Sequence, residues 1–91
     1  MIVGKVVGSL ISTRKSTNLI GNKFMIIEPL PEMHMKAGNI VAIDNIGAGI
    51  GELVLVATGS AARIGTGSPE SPIDAAVVGI VDDENDLKIY D

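Results

Sequence analysis

The sequence contains no cysteine and no tryptophan, and its aromatic content is 2%, made up of Phe24 and Tyr90. Without cysteine there is no disulfide framework, no thiolate nucleophile and no Cys-ligated metal, and a reducing compartment is the natural home. Two aromatic side chains make no stacking platform for single-stranded nucleic acid. Basic residues are also few. Seven Lys and Arg stand against eleven Asp and Glu, for a net charge of −4, and the pI is about 4.7. This balance argues against a binder of duplex DNA or RNA, which needs clustered cations to neutralise phosphates. The longest apolar run, residues 75–81, is interrupted by Gly79 and falls far short of the roughly 20 residues that span a bilayer. The first residues lack the basic and apolar regions of a signal peptide. A soluble, cytosolic protein with no membrane and no nucleic-acid partner is therefore expected.

With 91 residues the chain has room for one domain. A domain of that size buries only about 60–65% of the surface its unfolded chain exposes, so a large enclosed active site would compete with the core. Charge is unevenly placed. Residues 1–40 carry five cations and two acids, a balance of +3; residues 41–91 carry two cations and nine acids, a balance of −7. Either two faces are solvated differently, or a positive face of one copy meets a negative face of another.

The apolar residues come in short runs separated by turn formers. Residues 2–13 are rich in Val, Leu and Ile. Residues 23–28 form a second run, stopped by Pro29 and Pro31, because proline cannot donate to a ladder. Residues 39–46 alternate loosely around Val41 and Ile43. Residues 53–58 and 75–81 are continuous apolar runs suited to burial on both faces. Residues 87–90 are expected to add a last short strand after the acidic turn at 82–86. A helical period is not sustained for three turns anywhere, and the best helix candidate is one turn at Ser60, Ala61, Ala62 and Arg63, which Ser60 could cap. Five or six short strands with Gly-rich turns predict an all-β, OB-like barrel with one short helical turn. Residues 65–72 read as a mobile surface loop.

Few residues are candidates for chemistry. Gly47, Ala48, Gly49, Ile50, Gly51 and Glu52 resemble a phosphate cradle in glycine content. Their spacing is G-x-G-x-G, a strand follows instead of a helix, no Lys is supplied, and Glu52 would repel phosphate. Tight turns and close backbone approach, as at a symmetry axis, explain three glycines in five residues better. His34 is the one histidine. It cannot form a His-cluster metal site alone, and an exposed loop position is expected for it. Asp82, Asp83, Glu84 and Asp86 lack the Gly and terminal Glu of a calcium loop and read as a solvated turn. Asp44 and Arg63 adjoin apolar segments, where an unpaired charge is costly. Each is expected to be paired or hydrogen-bonded, either within one subunit or across two. The mean hydropathy of +0.40 is high for a small barrel, and the excess apolar surface is expected to cover an interface in a closed oligomer.

Several blocks, taken in order, carry a resemblance. They are Gly4, Lys5, Val6, Val7 and Gly8 with Ser12, Thr13, Arg14 and Lys15; the stretch 19–27; the stretch 41–52 followed by Leu53, Val54, Leu55 and Val56; Gly59 to Arg63; and 72–75 with 78–82. Together they resemble the pentameric vertex proteins of bacterial microcompartment shells, the family of the ethanolamine-utilisation and carboxysome vertex subunits. The resemblance covers roughly residues 1–83. It departs at Leu53, where Trp is common in the family, and in a variable tail from about residue 84. It implies one OB-like barrel domain over residues 1–91, a cyclic homopentamer at five-fold corners, hexameric shell proteins as further partners, a place in the cytoplasmic microcompartment shell, no cofactor and no catalysis. On this reading Gly47, Ala48, Gly49, Ile50, Gly51 and Glu52, with Ser60, Arg63 and Asp44, are candidates for the subunit interface or pore. The alternatives are a small OB-fold module for a ligand or single-stranded nucleic acid, and a small enzyme using His34.

Overall fold

The computed structural model describes residues 1–11, 23–35, 38–59, 61–62 and 74–90. Among them run five strands: β1 (Ile2–Leu10), β2 (Lys23–Pro29), β3 (Ile40–Asp44), β4 (Leu53–Thr58) and β5 (Ala75–Val81). They close into a barrel in the order β1-β2-β3-β5-β4, with β4 pairing back onto β1. All neighbours are antiparallel except β3 and β5, which meet in parallel at two register positions, Ile43 with Ala76 and Asp44 with Val77. This is the OB-like barrel that the run lengths predict. Closure also leaves no free sheet edge over most of its length.

Alternation explains which side chains fill it. Val6, Met25, Ile27, Ala42, Val54, Val56, Ala75 and Val77 point inward and make the main core. Their outward neighbours on three strands, Ile43, Ala57 and Ala76, are buried in a second cluster with Ala62, against which Phe24 and Val78 pack. The runs 53–58 and 75–81 are apolar at successive positions because both of their faces are covered. Small residues set the spacing. A Cβ on Gly4 would stand 2.5 Å from Ile27 Cγ2 and 2.9 Å from the Glu28 carbonyl oxygen, so β1 and the Ile27 side chain approach this closely only because position 4 is glycine.

Two register shifts tighten the curvature. One lies between Val6 and Gly8 on β1, the other opposite Leu55 and Val56 on β4, where Val77 and Gly79 are the partners. Each leaves one extra residue, Val7 or Val78, and such bulges bend the strand and increase its twist.

The structure corrects the sequence reading at the C-terminal end. Residues 87–90 form no strand; a three-residue 3-10 turn at Glu84–Asp86 precedes them. A second 3-10 turn, Pro31–Met33, follows β2. Residues 61–62 are helical, as expected, while Ser60, Arg63 and the loop at 65–72 lie outside the described residues. Among the described residues no helix is long and apolar enough to cross a membrane.

Candidate functional site

The connection from β3 to β4, residues 45–52, closes one end of the barrel and holds most of the candidate residues. Asp44, the last residue of β3, is 2% exposed. Its Oδ1 accepts hydrogen bonds from the backbone N–H groups of Ile46 (2.8 Å) and Gly47 (3.0 Å), and its Oδ2 accepts one from Ala48 (2.7 Å). Asp side chains commonly bond backbone a few residues on and so nucleate turns, and an ionised acceptor makes these bonds stronger than neutral ones. The expectation that Asp44 is hydrogen-bonded therefore holds, and its partners belong to its own chain.

The rest of the loop follows from two left-handed glycines. Gly47 has φ of 102° and Gly51 has φ of 91°, values that side chains with a Cβ rarely adopt. Between them Ala48 turns inward and joins the main core, so its methyl group plugs the barrel end. Glu52 Oε1 accepts the Gly49 N–H (2.5 Å), and the Glu52 N–H donates to the Gly49 carbonyl (3.1 Å). The loop is then fastened to β1: the Gly51 N–H donates to the Val6 carbonyl (2.7 Å), and the Val6 N–H donates to the Glu52 carbonyl (2.9 Å).

This arrangement decides the phosphate question on chemistry. A cradle needs free backbone N–H groups pointing at the ligand. Those of residues 46 to 49 are already bound to the carboxylates of Asp44 and Glu52. What the loop presents outward instead is apolar. Ile46 is 49% and Ile50 64% exposed, on a backbone that internal hydrogen bonds hold in one shape. Such a surface suits contact with another protein, where pre-ordering reduces the entropy lost on binding.

The remaining candidates are elsewhere. Gly59, in a left-handed conformation with φ of 65°, donates its N–H to the Asp74 carbonyl (2.7 Å). It sits at the Thr58 end of β4, so that strand separates it from Gly51. Ser60 and Arg63 lie outside the described residues. His34 is exposed with φ of 52°, and its N–H closes the preceding 3-10 turn onto the Pro31 carbonyl (3.0 Å). Asp83 organises the acidic turn, accepting the Asn85 N–H on Oδ1 (2.9 Å). Among the described residues no three His, Cys, Asp or Glu side chains are grouped to hold a metal ion.

One feature escaped the sequence reading. An open, mostly apolar depression lies where β3 and β5 begin, lined by Ile2, Met35, Ile40, Val41, Asp74 and Ala75 among others. The available signal was Val41, an apolar residue one step out of phase with the inward-facing Ile40 and Ala42.

Comparison with known proteins places this geometry. Residues 1–82 match the family described as ethanolamine utilisation protein EutN/carboxysome. The chain is 48% identical over 83 residues to the bacterial microcompartment shell vertex protein GrpN of Rhodospirillum rubrum, covering 90% of this chain and 93% of GrpN. Among solved structures, an ethanolamine utilization protein EutN superposes with a TM-score of 0.82 at 41% identity, over 90% of this chain and 86% of that one. The GrpN pentameric microcompartment shell protein from Rhodospirillum rubrum gives 0.78 at 44% identity, over 91% and 95%. The barrel, its closing loop and the sequence similarity agree, and the chain belongs to the EutN/CcmL family, whose similar members are shell vertex proteins.

Proposed function

We propose that five copies of this chain form a ring that closes the five-fold vertices of a bacterial microcompartment shell in the cytoplasm. The observation that carries this reading is the likeness to GrpN, nearly full-length in both chains, since that relative is described as a pentameric shell protein. The chain's own chemistry supports it. A ring of identical barrels needs two different complementary surfaces on each copy. The barrel offers an internally fastened loop with two exposed isoleucines and, away from it, an open apolar depression.

The role is architectural. The relatives' descriptions name shell vertices, and the ordered loop spends its polar groups on its own backbone. Residues 1–91 act as one domain with a variable tail from about residue 84. Gly47, Gly49, Ile50 and Gly51 face the ring axis or the neighbouring subunit, Ala48 in the core with Asp44 and Glu52 hold them in place, and Ser60 and Arg63 contribute to the same contacts. Flat hexameric shell proteins surround the ring. Arg63→Ala is expected to lower the melting temperature of the assembled ring by leaving an acid unpaired; an unchanged melting temperature counts against that role.

Electron microscopy of the purified protein, followed by co-expression with hexamer-forming shell proteins of a microcompartment, tests the whole reading. Five-fold particles that co-purify with the hexamers are expected. Particles of another symmetry, or none retained by the hexamers, contradict it.

A further inference from the structure

The end of the closing loop, Gly49 to Glu52, is one compact unit. The Glu52 N–H donates to the Gly49 carbonyl (3.1 Å), which closes a four-residue turn. Of its two central residues only Gly51 is left-handed, with φ of 91°, as a type II turn requires. The Gly51 N–H donates to the Val6 carbonyl, and the Val6 N–H donates to the Glu52 carbonyl. Gly51 and Glu52 together therefore oppose Val6, a bulge whose first residue is a left-handed glycine. Turn and bulge share Gly51 and fix the backbone on the C-terminal side of Ile50.

The Glu52 side chain fixes the other side. Its Oε1 accepts the N–H of Gly49 (2.5 Å), the residue just before Ile50. Position 49 leaves room for this, since a Cβ there would stand 3.1 Å from the same oxygen. Ile50 is thus bracketed by two fastened neighbours, while its own side chain is 64% exposed. At Gly51 an added Cβ would meet nothing within 4 Å, so the space beside Ile50 is open. Val7, which follows the residue to which the loop is fastened, is also exposed.

We infer that Ile50 is the anchor side chain by which each copy grips the next copy of the ring, and that Glu52 is the positioning residue that presets it. This rests on the ring reading and deepens it by naming the contact. A second copy is the occupant because GrpN, similar over nearly its whole length, is a pentameric shell protein, and the copies of a ring must touch. The turn lies inside the span 1–82 that the family model matches. An apolar anchor on a backbone already fixed loses little freedom when it docks, and isoleucine is stiff at χ1. The carboxylate of Glu52 acts through Ile50, by holding the turn that presents it.

Subunit exchange tests the contact. Unlabelled and isotope-labelled protein are mixed, and the appearance of mixed rings is timed by native mass spectrometry. Ile50→Ala is expected to speed exchange roughly tenfold or more, as the loss of an anchor does. Glu52→Ala is expected to speed it about fivefold, through lost pre-ordering. On top of Ile50→Ala, the Glu52→Ala change is expected to add less than about twofold, because the two residues act as one unit. Glu52→Gln keeps an oxygen acceptor for the Gly49 N–H and is expected to exchange like the parent. Rings whose exchange ignores Ile50→Ala overturn the anchor and leave the ring intact, which is also the result if Ile50 meets a different shell protein. Equal effects of Glu52→Ala with and without Ile50 overturn the positioning role. A parent protein that is monomeric at every concentration rejects the ring itself.

Discussion

Asp44 satisfies three backbone N–H groups with one carboxylate, and that concentration makes it the most sensitive polar residue described. Asp44→Ala leaves all three donors without their acceptor in a partly buried loop. A loss of about 2–4 kcal/mol is expected, since stranded buried donors cost more than a hydrogen bond's net contribution. Asp44→Asn keeps one carbonyl oxygen and is expected to lose less; denaturant unfolding of both variants checks the order. Gly4 makes a steric counterpart. Gly4→Ala places a methyl group inside the contact distance of Ile27 and of the Glu28 carbonyl, and a cost of about 1–3 kcal/mol is expected from the overpacking. At this scale the sequence was partly legible. That Asp44 must be satisfied followed from its apolar neighbours. Its partners are backbone groups arranged by the left-handed glycine at 47, and side-chain types alone do not reveal such an arrangement.

At the scale of elements, β4 and β5 were legible because their apolar runs meet covered surface on both faces. The loose alternation around Val41 and Ile43 likewise found β3 to within two residues at either end. The bulges at Val7 and Val78 were not legible, because they answer the curvature of a closed barrel rather than any local preference. Residues 87–90 were read as a strand from propensity, but a strand also needs a partner edge, and the described residues of the barrel pair none with them. The loop at 45–52 is ordered by contacts within the protomer, so its outward face can be altered separately. Ile50→Asp is expected to leave the unfolding of the barrel within about 0.5 kcal/mol of the parent, as for other surface changes. The same substitution is expected to weaken subunit association at least tenfold, read by analytical ultracentrifugation. Association unchanged by that charge would remove the loop from the interface.

On the whole-molecule scale, the low aromatic content and the acidic balance argue against nucleic acid as a partner, and the absence of cysteine removes thiolate chemistry. The open depression where β3 and β5 begin was not legible, since it is lined by residues from several separate segments, Ile2, Met35, Ile40 and Ala75 among them. Four of the exposed apolar residues lie in the closing loop, Ile46 and Ile50, and at the depression, Val41 and Met35. A monomer would leave these side chains in water. The charge balance of +3 in residues 1–40 and −7 in residues 41–91 leads to the expectation that a positive face of one copy meets a negative face of the next. Salt is therefore expected to slow ring formation, because screening reduces steering between opposite charges; stopped-flow light scattering at two ionic strengths checks this, and no change in rate would leave the charge asymmetry as a matter of solvation alone.

The most direct test of the account is the native mass of the purified protein, by light scattering or native mass spectrometry. The account predicts five times the 9.4 kDa of one chain, 47 kDa. A single 9.4 kDa species that persists as the concentration is raised would contradict it.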